Sequence, residues 1–261
     1  MVRAIRHWAI STGMVRETIT DKKTRAKHFS PSSLGRFLFH ENGADPYMED
    51  SGTLWLIHFT LAGLETSPTT WYWMFNHLSE PDFSPASAVD AIKFEGQKLD
   101  WPKQSENTLI RDVNCFIRTY LPPQQSKRAG VEDTLDCPLT ELRLITQVEN
   151  GESYSFARGP HNTLPNAIFA YALARFWDQY AKERRTLQFE EIAYKPGSPG
   201  RVFKLTESAI ASRLECMESV TEGAISYDVT AGLMQAYRRS DVDPLRILSM
   251  HYGKRLPRKH R

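Results

Sequence analysis

Residues 45–82 read DPYMEDSGTLWLIHFTLAGLETSPTTWYWMFNHLSEPD, and this stretch decides the fold. It opens with three carboxylates in six residues, Asp45, Glu49 and Asp50, and runs into a block of Trp, Tyr, Phe and Leu. That block must be buried, because each large apolar side chain removed from water contributes roughly 1.5–3 kcal/mol. Residues 53–64 and 69–78 therefore read as core helices, parted at Ser67-Pro68, whose proline suits a first helical turn. The acids lie at the rim of that core.

Working downstream, Ser84-Pro85 opens another helix that runs towards residue 99. In residues 107–120, Leu109, Val113, Phe116, Ile117 and Tyr120 share one face, and the pattern stops before Pro122-Pro123. Residues 124–136 are polar and read as a loop. Strand-like alternation in 142–148 and 153–157 flanks Asn150-Gly151, a strong hairpin signal. Thr163 is placed to cap a helix over 164–180, and 189–193 reads as a short helix. The run Lys195-Pro-Gly-Ser-Pro-Gly-Arg201 reads as a loop before a strand at 202–205. Thr206 then caps a helix through 217, residues 225–229 read as a strand, and the end is basic from Lys254 to Arg261.

Upstream, Val2, Ile5, Trp8 and Ala9 mark one face of a basic helix that Gly13 ends. Residues 15–30 read as two extended arms around a turn at Asp21 to Thr24, and Ser30-Pro31 caps the next helix at Leu34. Basic helix, charged hairpin and capped helix follow the order of a winged helix, in which a helix enters the major groove and the hairpin touches phosphates. Arg3, Arg6 and His7 on the helix, with Lys22, Lys23, Arg25 and Lys27 on the hairpin, are the candidate DNA-binding residues. A helix-turn-helix needs helices before its recognition helix, so this module reads as partial.

The expected fold is α+β and mainly helical. It comprises a truncated N-terminal winged-helix module over 1–40, a helical middle with the acidic loop over 41–122, and a C-terminal mixed α/β module, winged-helix-like in element order, over 137–261.

At 261 residues, 41% hydrophobic and 25% charged, the chain is long enough for a proper core. Cys115, Cys137 and Cys216 are odd in number and far apart, which supports neither a disulfide framework nor a metal knuckle and suits a reducing cytoplasm. No run of about 18 apolar residues and no signal-peptide core is present, which argues against membrane insertion and secretion. The net charge of +2 conceals a polarity: residues 1–36 carry eight Lys or Arg against two acids, and residues 37–110 carry three against eleven. One end suits phosphate, whereas the other repels it unless a cation or a basic protein intervenes; ordinary solvated surface is the plainer reading.

Three groups could carry chemistry. Asp45, Glu49 and Asp50, with His58 as a further ligand, could hold Mg²⁺ or Mn²⁺ and activate water for phosphodiester hydrolysis. Equally, Asp50 or Ser51 caps the following helix and His58 is a satisfied core histidine. Arg111 and Arg118, two turns apart on one face, could bind phosphate, with Asp112 pairing with either arginine or joining a metal site. Structural pairing with the acidic middle accounts for them as well. The loop 197–201, flanked by Lys195 and Lys204, could offer N–H groups and charge to a phosphate, although it lacks the GxxxxGK[ST] pattern and reads more simply as a turn. Cys115 and Cys137, considered as sulfur carriers, lie among apolar residues and read as buried thiols.

A family resemblance runs along nearly the whole chain. It rests on Asp45-Pro46-Tyr47 with Glu49-Asp50, Thr53-Leu54-Trp55-Leu56 with His58, Trp71-Tyr72 and Phe75-Asn76. It continues through Arg111-Asp112-Val113 with Arg118-Thr119-Tyr120, Cys137-Pro138-Leu139 with Glu141-Leu142, and Ser198-Pro199-Gly200-Arg201-Val202-Phe203. These residues resemble the bacterial domain-of-unknown-function family number four thousand and seven. The resemblance implies a part in installing sulfur in the DNA backbone, alongside a cysteine desulfurase, an ATPase and an ATP-pyrophosphatase-like component. Some members are regarded as DNA-nicking proteins, and the resemblance assigns no catalytic residue. It also implies several tens of residues upstream of the segment matching 1–8, so the chain is expected to be shortened at its start.

Two readings of function follow. In the first, Arg3, Arg6, Lys22, Lys23 and Arg25 place duplex DNA, a cation at Asp45 and Glu49 polarises the phosphodiester, and Arg111 or Arg118 stabilises the added charge, giving a nicking endonuclease. In the second, the protein is a non-catalytic adaptor whose acidic surface docks a basic partner. A transcriptional repressor is a third option that the resemblance disfavours, and a homodimer stays open.

Overall fold

The computed structural model describes residues 2–21, 26–64, 68–102, 104–122, 137–148, 151–230 and 232–254. At its centre lies helix α3 (Ser51–Ala62), apolar on every side; Leu54, Trp55, Leu56, Phe59 and Leu61 are all buried. A helix hydrophobic all round must be enclosed by other elements. The enclosing elements are α4 (Thr69–Asn76), α7 (Asn166–Tyr180) and a 3-10 turn, Pro138–Leu142.

Around this centre the remaining elements follow in chain order. An N-terminal helix α1 (Val2–Ser11) leads to an antiparallel hairpin, β1 (Val15–Asp21) with β2 (Ala26–Pro31), and then to α2 (Ser33–Phe39). Helices α5 (Pro85–Lys98) and α6 (Glu106–Tyr120) complete the helical middle. A three-stranded sheet of order β3-β5-β4 joins β3 (Asp82–Phe83), β4 (Ile145–Gln147) and β5 (Tyr154–Phe156). Beyond α7 come β6 (Thr186–Gln188), α8 (Phe189–Tyr194), α9 (Pro199–Val202), α10 (Glu207–Glu215), α11 (Met217–Val220), β7 (Ile225–Thr230), β8 (Leu233–Arg238) and α12 (Pro244–His251). Their strands form an antiparallel sheet of order β6-β8-β7. Buried side chains from Leu34 to Leu248 make one contiguous cluster, and the architecture is α+β with small antiparallel sheets. No described helix is long and apolar enough to cross a membrane.

Local chemistry accounts for most boundaries. Asp50 caps α3 by accepting from Gly52 N–H at 2.7 Å, and Ser84 and Ser87 form a reciprocal capping box ahead of α5 with Pro85 in its first turn. Gly13, at φ +72°, ends α1 as expected. Several boundaries differ from the sequence reading; α10 ends at Glu215, short of residue 217, and Thr206 precedes it without a side-chain cap bond. The cap of α2 is Ser32, whose hydroxyl accepts from Gly35 N–H, not Ser30-Pro31, because β2 pairs through Pro31. Thr163 does not cap α7, which starts after Pro165; its hydroxyl instead accepts from Trp55 Nε1 at 3.1 Å. Residues 199–202 are helical, where the sequence pattern predicts the end of a loop over 195–201 and the start of a strand, and no strand forms at 202–205, where Lys204 takes φ +51°. The expected turn at 22–24, Asn150 and the polar loop 124–136 lie outside the described residues.

Candidate nucleic-acid interface

Helix α1 buries no residue completely. Residues 2–7, which include Arg3, Arg6 and His7, are exposed, and the helix is seated by Trp8, whose ring meets Trp71 of α4 edge-on at 5.3 Å. A second tie is the Thr60 hydroxyl, which donates to Thr12 O at 2.8 Å. The hairpin lies beside the helix: the Arg6 guanidinium stacks on Phe29 of β2, 4.6 Å from the ring centre. Such stacking occupies the planar face and leaves the N–H edge free to donate. Lys27 pairs with Glu17 at 2.7 Å, an exposed interaction of small energetic weight. Lys22, Lys23 and Arg25 lie outside the described residues.

Helix α6 adjoins this surface. Arg111 and Arg118 are exposed, as two positions seven apart on one helix allow, and Arg118 Nε makes a long 3.4 Å contact with Asn114 O. Asp112 is half-buried; burial raises its carboxyl above the usual carboxylate range, while His7 of α1 pulls the other way. Neither Arg111 nor Arg118 forms an ion pair with it among the described residues. Burial raises the Cys115 and Cys137 thiols, the opposite of what activates a sulfur nucleophile.

The acidic loop is built differently from the α1 surface. Asp45 is 6% exposed and its carboxylate is fully engaged: it accepts from Glu49 N–H at 2.8 Å, Asp50 N–H at 3.1 Å and the Thr53 hydroxyl at 2.5 Å. Thr53 shares a further hydrogen bond with Tyr252, just past α12. Burial holds the Tyr252 phenol well above its ordinary value. His251 Nε2 stands 3.2 Å from Asp50 Oδ2, close enough for electrostatic attraction but outside hydrogen-bond geometry. Glu49 and Tyr47 face solvent.

His58 lies elsewhere. It is fully buried, with Nδ1 2.8 Å from the Tyr120 hydroxyl and Nε2 3.0 Å from Val202 O. Burial pushes its pKa down to about 3. Magnesium asks for near-octahedral oxygen ligands, yet Asp45 spends its oxygens on protein donors and His58 is walled in by Phe75, Phe203 and Trp55. No group of three His, Cys, Asp or Glu side chains is placed to hold a metal among the described residues. Asp45, Glu49 and His58 do not fit a cation as a set.

A family model described as protein of unknown function (DUF4007) matches residues 1–252. The chain belongs to this family. Among solved structures it is similar to the crystal structure of SspB and to that of magnesium ion-bound SspB. Each has a TM-score of 0.84 and is 30% identical, and each match covers 97% of this chain and 75% of the other. No curated protein matches the sequence.

Proposed function

We propose that this protein is an SspB-like, DNA-binding component of a phosphorothioation system, with α1, the β1–β2 hairpin and the exposed arginines of α6 as its duplex-binding face. The observation that carries this reading is α1 itself: a helix seated by one tryptophan, with Arg3, Arg6 and His7 turned to solvent beside a hairpin. A winged helix presents its groove-entering helix and wing in this way. The family and the SspB likeness supply the phosphorothioation context, in which a cysteine desulfurase, an ATPase and an ATP-pyrophosphatase-like protein are the expected partners.

The test is duplex binding across a salt series. Arg3→Gln with Arg6→Gln is expected to weaken binding to all sequences alike and to lower the slope of log K against log salt by about 0.9 for each phosphate no longer neutralised. Unchanged affinity and slope would remove α1 from the interface.

Of the two ways such a component could act, the closed hydrogen bonding of Asp45 favours an adaptor over a nickase with a metal at Asp45, Glu49 and His58. Supercoiled plasmid left intact by the purified protein in Mg²⁺ or Mn²⁺ supports the adaptor; a single-strand nick that survives Asp45→Ala with Glu49→Ala supports nicking by other groups. The exposed Glu49 is then a docking point, and its neutralisation is expected to weaken capture of partner proteins.

A further inference from the structure

Residues 198–204 bring cations to the C-terminal end of α4. Ser198 caps α9, accepting from Arg201 N–H at 3.3 Å, and the Arg201 side chain reaches α4, where its Nε donates to Asn76 O at 2.8 Å. Lys204 is 2% exposed; its ammonium donates to Phe75 O at 2.7 Å and lies 3.9 Å from the centre of the Phe156 ring. Gly159 pairs with Leu205 and donates to Lys204 O at 3.1 Å, which brings the exposed Arg158, one residue earlier, within electrostatic reach of Arg201 and Lys204. Lys204 holds a left-handed backbone, φ +51°, a conformation that costs a lysine on the order of 1 kcal/mol or more and clusters at functional sites.

Part of this arrangement caps a helix. Phe75 and Asn76 carry terminal carbonyls of α4 that have no partner within the helix, and positive charge suits that end. The dipole is equivalent to only about half an elementary charge, however, against two arginine cations besides Lys204. No carboxylate forms an ion pair with Arg158, Arg201 or Lys204 among the described residues. The charges that act on Lys204 are Arg201 and Arg158, both of its own sign; together with burial they press its ammonium well below the ordinary lysine value. Burial and Arg158 lower Arg201 likewise. The terminal nitrogens of Arg201 make no hydrogen bond or ion pair among the described residues, nor does the Arg158 side chain, although Arg158 acts electrostatically on the Tyr194 phenol, which is bonded to Glu207.

We propose that Arg158 and Arg201, with Lys204 tethered behind them at the end of α4, bind a doubly charged phosphate group. Arg201 is oriented by one bond through Nε, and its outer edge offers the paired donors that match two phosphate oxygens. Arg158 and Arg201 together carry two positive charges; a phosphate dianion offsets both, and a single carboxylate does not. Such a group comes from the pyrophosphate of a nucleotide or from a phosphorylated strand end. This site is inferred independently of the duplex-binding reading.

The probe is inorganic pyrophosphate, titrated calorimetrically into the full chain. Saturable one-to-one binding is expected. Arg158→Gln, at an exposed position, is expected to weaken it at least tenfold, about 1.4 kcal/mol. Arg201→Lys, which keeps the charge but not the fork, is expected to weaken it several-fold. Displacement of pyrophosphate by ATP identifies a nucleotide as the source, and displacement by a 5′-phosphorylated hexanucleotide identifies a strand end. Absence of binding, binding unchanged in Arg158→Gln, or equal competition by the 5′-hydroxyl hexanucleotide overturns the proposal.

Discussion

Replacing Asp45 with alanine is expected to cost about 3 kcal/mol of folding stability in metal-free buffer. The buried carboxylate accepts three hydrogen bonds, from Glu49 N–H, Asp50 N–H and the Thr53 hydroxyl, and bonds to a charged group contribute roughly 1.5–3 kcal/mol each. Thr53 keeps Tyr252 as a partner at 2.8 Å, and water reaches the part-buried loop amides, so the loss amounts to about two bonds at the low end of that range. In a chain of this size that lowers Tm by roughly 6–12 °C. Asp45→Asn, which keeps one acceptor oxygen, is expected to lose about half as much. A metal ligand behaves oppositely. Removing one of three crowded carboxylates relieves repulsion in chelator, and millimolar Mg²⁺ then stabilises the native chain by mass action but not the variant. Urea denaturation followed by tryptophan fluorescence, in chelator and in Mg²⁺, separates the two. If Asp45→Ala matches the native chain in chelator while the native chain gains stability from Mg²⁺, the hydrogen-bonded role of Asp45 is refuted.

Further predictions concern the core and the seat of α1. With His58 depressed to about 3 in the fold and near 6.5 when unfolded, its neutral ring contributes no penalty at high pH. As pH falls below 6.5 the unfolded chain gains a proton that the folded one refuses, and stability drops by up to about 1.4 kcal/mol per pH unit until about pH 3. From pH 7 to 5 the loss from His58 alone is about 2 kcal/mol, and an NMR titration showing the ring protonated near pH 6.5 in the folded protein contradicts it. Gly35→Ala places a Cβ against the Met14 carbonyl oxygen; it is expected to destabilise by about 1–3 kcal/mol, read from the urea midpoint, and a neutral outcome means that α2 does not pack this closely. Trp8→Ala is expected to cost about 2 kcal/mol, because the ring is only half-buried, and to abolish amide-exchange protection in α1; protection kept there shows that another interaction holds the helix.

The helical middle was legible because its starts are chemical: Asp50 before α3, Pro68 before α4 and Ser84-Pro85 before α5 each mark a first turn, and the apolar run after Asp50 leaves nowhere but the interior. Ser198-Pro199 carries the same signal, yet residues 195–201 read as a loop because their glycines suit a turn before a strand. The structure shows why Gly200 is there: a Cβ would strike the backbone of Ala193 and the side chain of Ile210. Strand β3 has two residues and pairs with β5 some seventy positions on, a pairing without local signature. The sheet of β6, β7 and β8 was visible only at β7. His58 lies eight residues after Asp50, about 12 Å along a helix axis, so helical geometry alone already strains a shared ligand set with the acids. The cations at the end of α4 were named only in part, since sequence shows that Lys204 and Arg201 exist but not that the fold leads both to the last carbonyls of α4.

Tyr252 and His251 reach the acidic loop from the far end of the chain. Asp45 is held by donors of its own loop and by Thr53, and the docking of α12 adds a bond to Thr53 and brings His251 to Asp50. A protein clipped before α12 would keep the Asp45 bonds but lose the Tyr252 brace on Thr53, so a partner that docks on this rim would meet a less firmly held surface.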